Sequence, residues 1–280
     1  MKRALLGAVL ISAACCGPKS GGVNPNPQLT GETVVAELAK GREALTSFRG
    51  ESKMDYWVSG QRLRGDVLVM GKLGKFVRFA ALSPAGGSTI VEMACDGTNF
   101  VYLNYQENCA LTGPCDASSV GMFFGIPLEP DDFLHLALGT TPVIANPTST
   151  ITWDGSAKLH RVELKASEGT QKIAINVAPM HWDVHASELL GSDGKVRWSV
   201  ANTDFRKVTG SGERRVPEKT RFKSSVQNQD LLVEWGGEFE VNAQLPTQNF
   251  TIQVPSGLST CGQKAPKPAA PPAKAPAPTK

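Results

Sequence analysis

Two hydrophobic periods divide the chain. From Thr30 to Phe48, Val34, Val35, Leu38, Leu45 and Phe48 recur at helical spacing. Thr30 suits an N-cap, Glu32 suits the positive helix start, and Gly50 follows as a stop, so one amphipathic helix is predicted. Strand patterns then dominate: Lys53–Val58, Arg62–Gly71, Lys75–Leu82, Ser88–Cys95 and Asn99–Tyr105. The turns between them, Ser-Gly, Gly-Lys-Leu-Gly, Pro-Ala-Gly-Gly and Asp-Gly-Thr, are short and favour antiparallel neighbours. A helical interlude follows at Ala117–Phe124 and Pro130–Leu138, with Val120, Phe123 and Phe124, then Phe133, Leu134, Ala137 and Leu138, at helical spacing. Asp131 and Asp132 begin its second helix and Gly139 ends it. Seven more strands are expected at Lys158–Lys165, Lys172–Val177, His181–Leu189, Val196–Phe205, Lys219–Val226, Leu231–Val241 and Phe250–Val254.

The two sets of strands differ. In the later set the alternation is clean: Ile173, Ile175 and Val177 oppose Lys172, Ala174 and Asn176, and Phe222 opposes Arg221 and Lys223. This describes a sheet with one dry and one wet face. In the earlier set, Val67-Leu68-Val69-Met70 and Phe100-Val101-Tyr102-Leu103 are apolar on both faces. Something else must cover those strands, or the extra apolar surface binds a partner. The expected fold class is α+β: one long antiparallel sheet, strongly curved into a half-barrel, with helices on its concave face. An apolar cavity between sheet and helices would be lined by Val67, Val69, Phe79, Met93, Phe100, Tyr102, Phe133, Trp182, Trp198, Phe222 and Trp235. Taken singly, each reads first as a core side chain.

The chain ends set the compartment. Met1-Lys2-Arg3 followed by the apolar Ala4–Ala14 has the form of a signal peptide, too short to span a bilayer as a helix. It ends in Ser12-Ala13-Ala14-Cys15, small residues before a cysteine, which resembles a lipobox. Cys15 is the expected lipidation site, and the rival reading is an ordinary signal cut near Ala14. Four segments are expected: a signal peptide over 1–14, a lipidated flexible linker over 15–29, one domain over 30–262 and a disordered Pro/Ala/Lys tail over 263–280. Lys2, Arg3, Lys264, Lys267, Lys274 and Lys280 lie in the leader and tail, so the middle of the chain carries a net −3 against +3 for the whole. That removes the electrostatic footprint of a nucleic-acid binder. Cys95, Cys109, Cys115 and Cys261 are an even set, which in an exported protein reads as disulfides, against free buried thiols. Three pairings are open. The short Gly-Pro segment between Cys109 and Cys115 favours pairing those two, leaving Cys95 with Cys261.

The order of elements resembles the LolA/LolB superfamily of lipoprotein carriers over residues 30–257. Ala81-Leu82-Ser83-Pro84-Ala85-Gly86-Gly87 is similar to a Gly-Pro-Leu-Gly-type loop, and Cys95-Asp96-Gly97 to the turn after it. Gly125-Ile126-Pro127-Leu128 with Leu136-Ala137-Leu138-Gly139 is similar to the family's helical insert. Asn242-Ala243-Gln244-Leu245-Pro246 and Phe250 to Pro255-Ser256-Gly257 are similar to its closing strand. The resemblance implies a cavity that shelters acyl chains, each buried CH₂ gaining about 0.8 kcal/mol. It also implies a membrane-touching loop at Pro84, Ala85 and Gly86. There the LolB branch has an exposed leucine and this chain has Ala85, which supplies far less apolar surface.

Chemistry beyond binding has no local signature. His181 and His185 would lie about 13 Å apart along a strand, too far for one metal ion. His135 and His160 are solitary, and no G-x-S-x-G, H-E-x-x-H or P-loop pattern occurs. The expectation is a monomeric, non-enzymatic lipoprotein of the cell envelope, on the outer membrane facing the periplasm. It would lack cofactor, metal and catalytic residues, and its partners would be the membrane, lipid, a lipoprotein or a periplasmic carrier. The rival is a structural or assembly lipoprotein that uses the fold as a protein-docking module.

Overall fold

The computed structural model describes residues 22–58, 61–83, 87–124, 129–179, 181–225 and 229–262. Cys15, the leader, the tail and the Pro84–Gly86 loop lie outside them. Fourteen strands form one sheet: β1 (Ser47–Val58), β2 (Gln61–Lys72), β3 (Phe76–Leu82), β4 (Thr89–Asp96), β5 (Asn99–Asn104), β6 (Cys109–Pro114), β7 (Thr148–Asp154), β8 (Leu159–Ala166), β9 (Gly169–Ala178), β10 (His181–Gly191), β11 (Val196–Arg206), β12 (Val216–Ser224), β13 (Gln229–Val241) and β14 (Ser259–Thr260). Their order is β14-β6-β5-β4-β3-β2-β1-β13-β12-β11-β10-β9-β8-β7. Every pair is antiparallel except β14 on β6. The sheet is open, with β14 and β7 at its edges.

Residues directly opposite across an antiparallel pair point to the same side, so the register identifies one continuous face. Tyr102, Met93, Phe79 and Val69 are successive partners across β5–β2. Leu231, Phe222, Val200, Ser187, Ile173, Val162 and Ile151 continue the same face across β13–β7. Among the described residues, two helices pack on it. α1 (Gly31–Glu43) lays Val34 and Leu38 on Val162, Leu164, Ile173, Ile175 and Val184. α2 (Ala117–Phe124) leads to α3 (Pro130–Ala137), which buries Phe133, Leu134, Leu136 and Ala137 over β1–β4 and β13.

Several expectations change. α1 is capped by Thr30 as expected, its Oγ1 accepting from Thr33 N at 3.2 Å, but the helix ends at Glu43. Phe48, counted as helical, lies in β1 and is fully buried against Trp235 and Phe239. Alternation around Phe48 outweighs its helical spacing because the aromatic cluster is on the sheet. β6, β7 and β14 were not anticipated. Phe250–Val254 is not a strand: a 3₁₀ turn at Thr247–Phe250 leads into irregular backbone. The C-terminal stretch covers part of the second apolar face of the early strands, and Leu68 remains exposed. Ala243, Leu245 and Phe250 pack on Met70 and Phe76, while Lys72 Nζ and Arg78 Nη1 donate to the carbonyls of Leu245 and Asn249 at 3.2 and 2.7 Å. A stretch this dependent on side chains and crossing contacts cannot offer a ladder.

The disulfides are Cys95–Cys115 and Cys109–Cys261, with Cα separations of 5.6 and 4.9 Å. The expected Cys109–Cys115 and Cys95–Cys261 pairs are therefore incorrect. Cys109 opens β6 and Cys115 follows its end, so the intervening strand holds them about 20 Å apart, beyond disulfide reach. Cys95–Cys115 links β4 to the exit of β6, and Cys109–Cys261 fastens β14 to the edge of the sheet.

Candidate functional site

The candidate lining residues gather between the apolar face and α3. Val67, Val69, Phe79, Met93, Phe100, Phe133, Phe222 and Trp235 belong to one buried cluster, with Tyr102 and Trp198 packed against it. Trp182 does not join them and packs beneath α1 instead. The interior is closed: Phe133 of α3 meets Phe79 edge-on, ring centroids 5.1 Å apart, and both are essentially unexposed. Smaller clefts touch this set only at its border, one of about 540 Å³ reaching Val69 and Phe239 and one of about 180 Å³ reaching Val67 and Trp235.

What holds α3 in place is partly polar. Asp131 accepts from the backbone N–H groups of Gly74 and Lys75, at 3.1 and 2.8 Å, tying the helix start to the β2–β3 turn. Asp132 accepts from Arg42 of α1 at 2.7 Å. His135 is buried, and its Nδ1 has no hydrogen-bond partner among the described residues. Desolvation, helped by the nearby Arg42 charge, pushes the His135 imidazole down to about 4. After the helix, Gly139 adopts φ +78°, and a side chain there would run into Pro217. Gln171, Ser187 and Thr141 form a buried hydrogen-bonded trio, Gln171 Nε2 donating to Ser187 Oγ at 3.0 Å and to the Pro142 carbonyl at 2.7 Å. The trio seals the exit of α3 to β9 and β10.

The opposite face of β7–β12 carries a groove of about 700 Å³. Ala174, Ala186 and Ala201 are cross-strand partners along its floor, with Arg161 and Arg221 at the ends of the same row. Lys172 and Glu188 face each other at 3.9 Å, and Arg221 and Lys223 both lean on Asp230. The charges at its edges are largely paired, so the groove has no strong net sign.

Sequence reasoning missed a cluster at the start of β10. A bulge between Val184 and Ala186 breaks the strand period, so the assumed straight spacing of His181 and His185 does not apply. Asp183 is buried; it accepts from Arg215 and lies 3.5 Å from His181 Nε2. Arg215 lies over the Phe205 ring at 5.8 Å, and Phe205 contacts His185 at 5.0 Å. Desolvation lowers the His185 pKa, the Asp183 charge opposing and Arg215 assisting. The acid between two histidines was a visible signal, but its arginine comes from a loop 32 residues away. Among the described residues, no group of histidine, cysteine and carboxylate side chains is arranged to hold a metal ion, and no helix is long and apolar enough to cross a membrane.

No protein-family model matches the sequence. No curated protein matches it either. Solved structures do resemble the fold. A DUF1329 family protein from Desulfovibrio piger superposes with a TM-score of 0.53 at 11% identity, over 79% of this chain and 95% of that one. A LolA superfamily protein from Nitrosomonas europaea gives 0.49 at 10% identity, over 80% and 98%. A putative outer membrane lipoprotein-sorting protein domain from Vibrio parahaemolyticus gives 0.46 at 10%, over 76% and 94%. The chain thus shares the fold of the DUF1329 family protein, and at this identity the likeness is one of fold alone.

Proposed function

We propose that this chain is an envelope lipoprotein, anchored through Cys15, whose body accepts acyl chains between its apolar sheet face and α2–α3. In this reading the sheet curls around the helices as a half-barrel and keeps them on its concave side. The observation that carries it is the mismatch between surface and cover. A continuous apolar face spans β1–β5 and β13, yet the helix that covers it there, α3, is only eight residues long. A short helix held by Phe133, Leu134 and a few polar ties can be displaced by an acyl chain that replaces its apolar contacts. The role is binding and transfer of lipid or of a lipidated protein, without catalysis, and the outer membrane is the proposed address.

The test uses the chain from residue 16 onward, free of its own acyl group, with a fluorescent fatty acid. Saturable binding that a natural fatty acid displaces is expected. Binding no stronger than to an unrelated globular protein would reject the reading. The alanine-floored groove favours a second reading, in which the fold docks a protein partner on its wet face. Under that reading, substitutions of Arg161 and Lys172 abolish partner capture and leave fatty-acid binding unchanged.

A further inference from the structure

The residues that follow the anchor are fastened to one rim of the sheet. Gly22 N donates to the Gly155 carbonyl at 3.3 Å, and Trp153 Nε1 donates back to the Gly22 carbonyl at 2.6 Å. Asn24 Oδ1 lies 3.1 Å from His160 Nε2, and Asn26 Nδ2 donates to the Val177 carbonyl at 3.1 Å. These contacts strap residues 22–26 across the ends of β7, β8 and β9 before Thr30 caps α1. Between Cys15 and Gly22 lie only seven residue steps. Fully extended they span about 24 Å, and a relaxed chain of that length averages about 15 Å.

We infer that the rim formed by the β7–β8 turn, the end of β9 and the start of β10 rests on the headgroups of the bilayer that holds the anchor. This rests on the reading of Cys15 as lipidated. The chemistry of the rim suits a lipid surface. Trp153 and Trp182 are half-buried there, amphipathic rings of the kind that settle at a membrane interface. Lys158 is exposed at the tip of the turn. The nearest acid, Asp154, is held charged well below the usual carboxylate range by Ser156, the Ala157 N–H and Arg161, but Arg161 also neutralises it as an ion pair. Asp183 is buried and paired with Arg215. Among the described residues, the unpaired charge facing outward from this rim is therefore the lysine's, which complements anionic headgroups.

The inference fixes an orientation, because β8 is eight residues long and separates this rim from the β8–β9 turn by about 26 Å. The test uses the full lipidated protein, in a Cys16→Ser background, in phosphatidylethanolamine–phosphatidylglycerol vesicles carrying a nitroxide on the lipid headgroup. A fluorophore is attached at Ala157→Cys in the rim or at Ser167→Cys in the β8–β9 turn, both exposed positions. Quenching at residue 157 at least threefold stronger than at 167 is expected. Equal quenching, or stronger quenching at 167, would overturn the orientation. Flotation with the vesicles separates the two readings: protein that does not float rejects the anchor and the orientation with it, whereas protein that floats with equal quenching rejects the orientation alone.

Discussion

The two halves of the sheet are covered in opposite ways. In the half built from β1–β6, the inner face lies beneath the short helix α3 and the outer face is crossed by the C-terminal segment, which the Cys109–Cys261 disulfide helps to fasten. In the half built from β7–β12, α1 covers the inner face of β7–β10 and the outer face remains an open groove. The first half is a sandwich whose stability depends on both covers. The second relies on clean alternation and one well-capped helix. A sheet apolar on both faces must recruit cover from distant sequence, and distant cover is what can be fastened, displaced or regulated.

The largest expected effect comes from releasing the outer cover. Replacing Cys109 and Cys261 with serine opens a loop of 152 residues, which loop-closure entropy values at about 5 kcal/mol. Denaturant unfolding should register that loss, and hydrogen exchange should rise in β3–β6 while β8–β10 stay protected. Equal deprotection of both halves would erase the distinction. Next, Phe133→Ala should cost about 3–5 kcal/mol, since the ring is fully buried against Phe79. A cost under 1 kcal/mol would mean that α3 is not a packed cover.

A smaller effect depends on pH. Burial and Arg42 hold the folded-state pKa of His135 near 4, against an ordinary 6.5. Between those values the unfolded chain binds a proton that the folded chain does not, so stability rises with pH across this window. The His135 contribution is fully present above 6.5 and is lost as pH falls through 6.5 toward 4. Urea midpoints of His135→Leu should vary less with pH over that range than those of the parent; an unchanged slope would place the proton uptake elsewhere. The smallest effect is on the second half: Thr30→Ala removes the cap of α1 and should cost about 1 kcal/mol, with any fatty-acid binding unaffected.

Where one residue's neighbours lie within a turn or a hairpin, the sequence was legible. Thr30, Gly139 and the alternation from Lys172 to Phe222 predicted a cap, a stop and a run of strands that all occur. The double-sided apolar pattern at Val67–Met70 correctly required a cover, but its source, Leu245 and Phe250, is more than 170 residues away and carries no strand pattern of its own. The disulfide pairing failed for a related reason. Cys109 and Cys115 look adjacent until β6 is recognised as extended, and β6, with its Gly-Pro end, has the composition of a turn. The candidate lining residues share one packed cluster except Trp182, because register across intervening strands decides which helix lies above a residue. The Asp183–Arg215 pair was invisible because a bulge and a long loop create it.

In the proposed function, the half beneath α3 works on acyl chains while the half beneath α1 holds the body to its anchor. Hydrogen exchange of the delipidated chain, with and without a long-chain fatty acid, tests it most directly. The account predicts altered exchange in α2, α3 and the strands beneath them, with α1 and β8–β10 unchanged. No change anywhere, or change confined to the groove strands β8–β11, would contradict it.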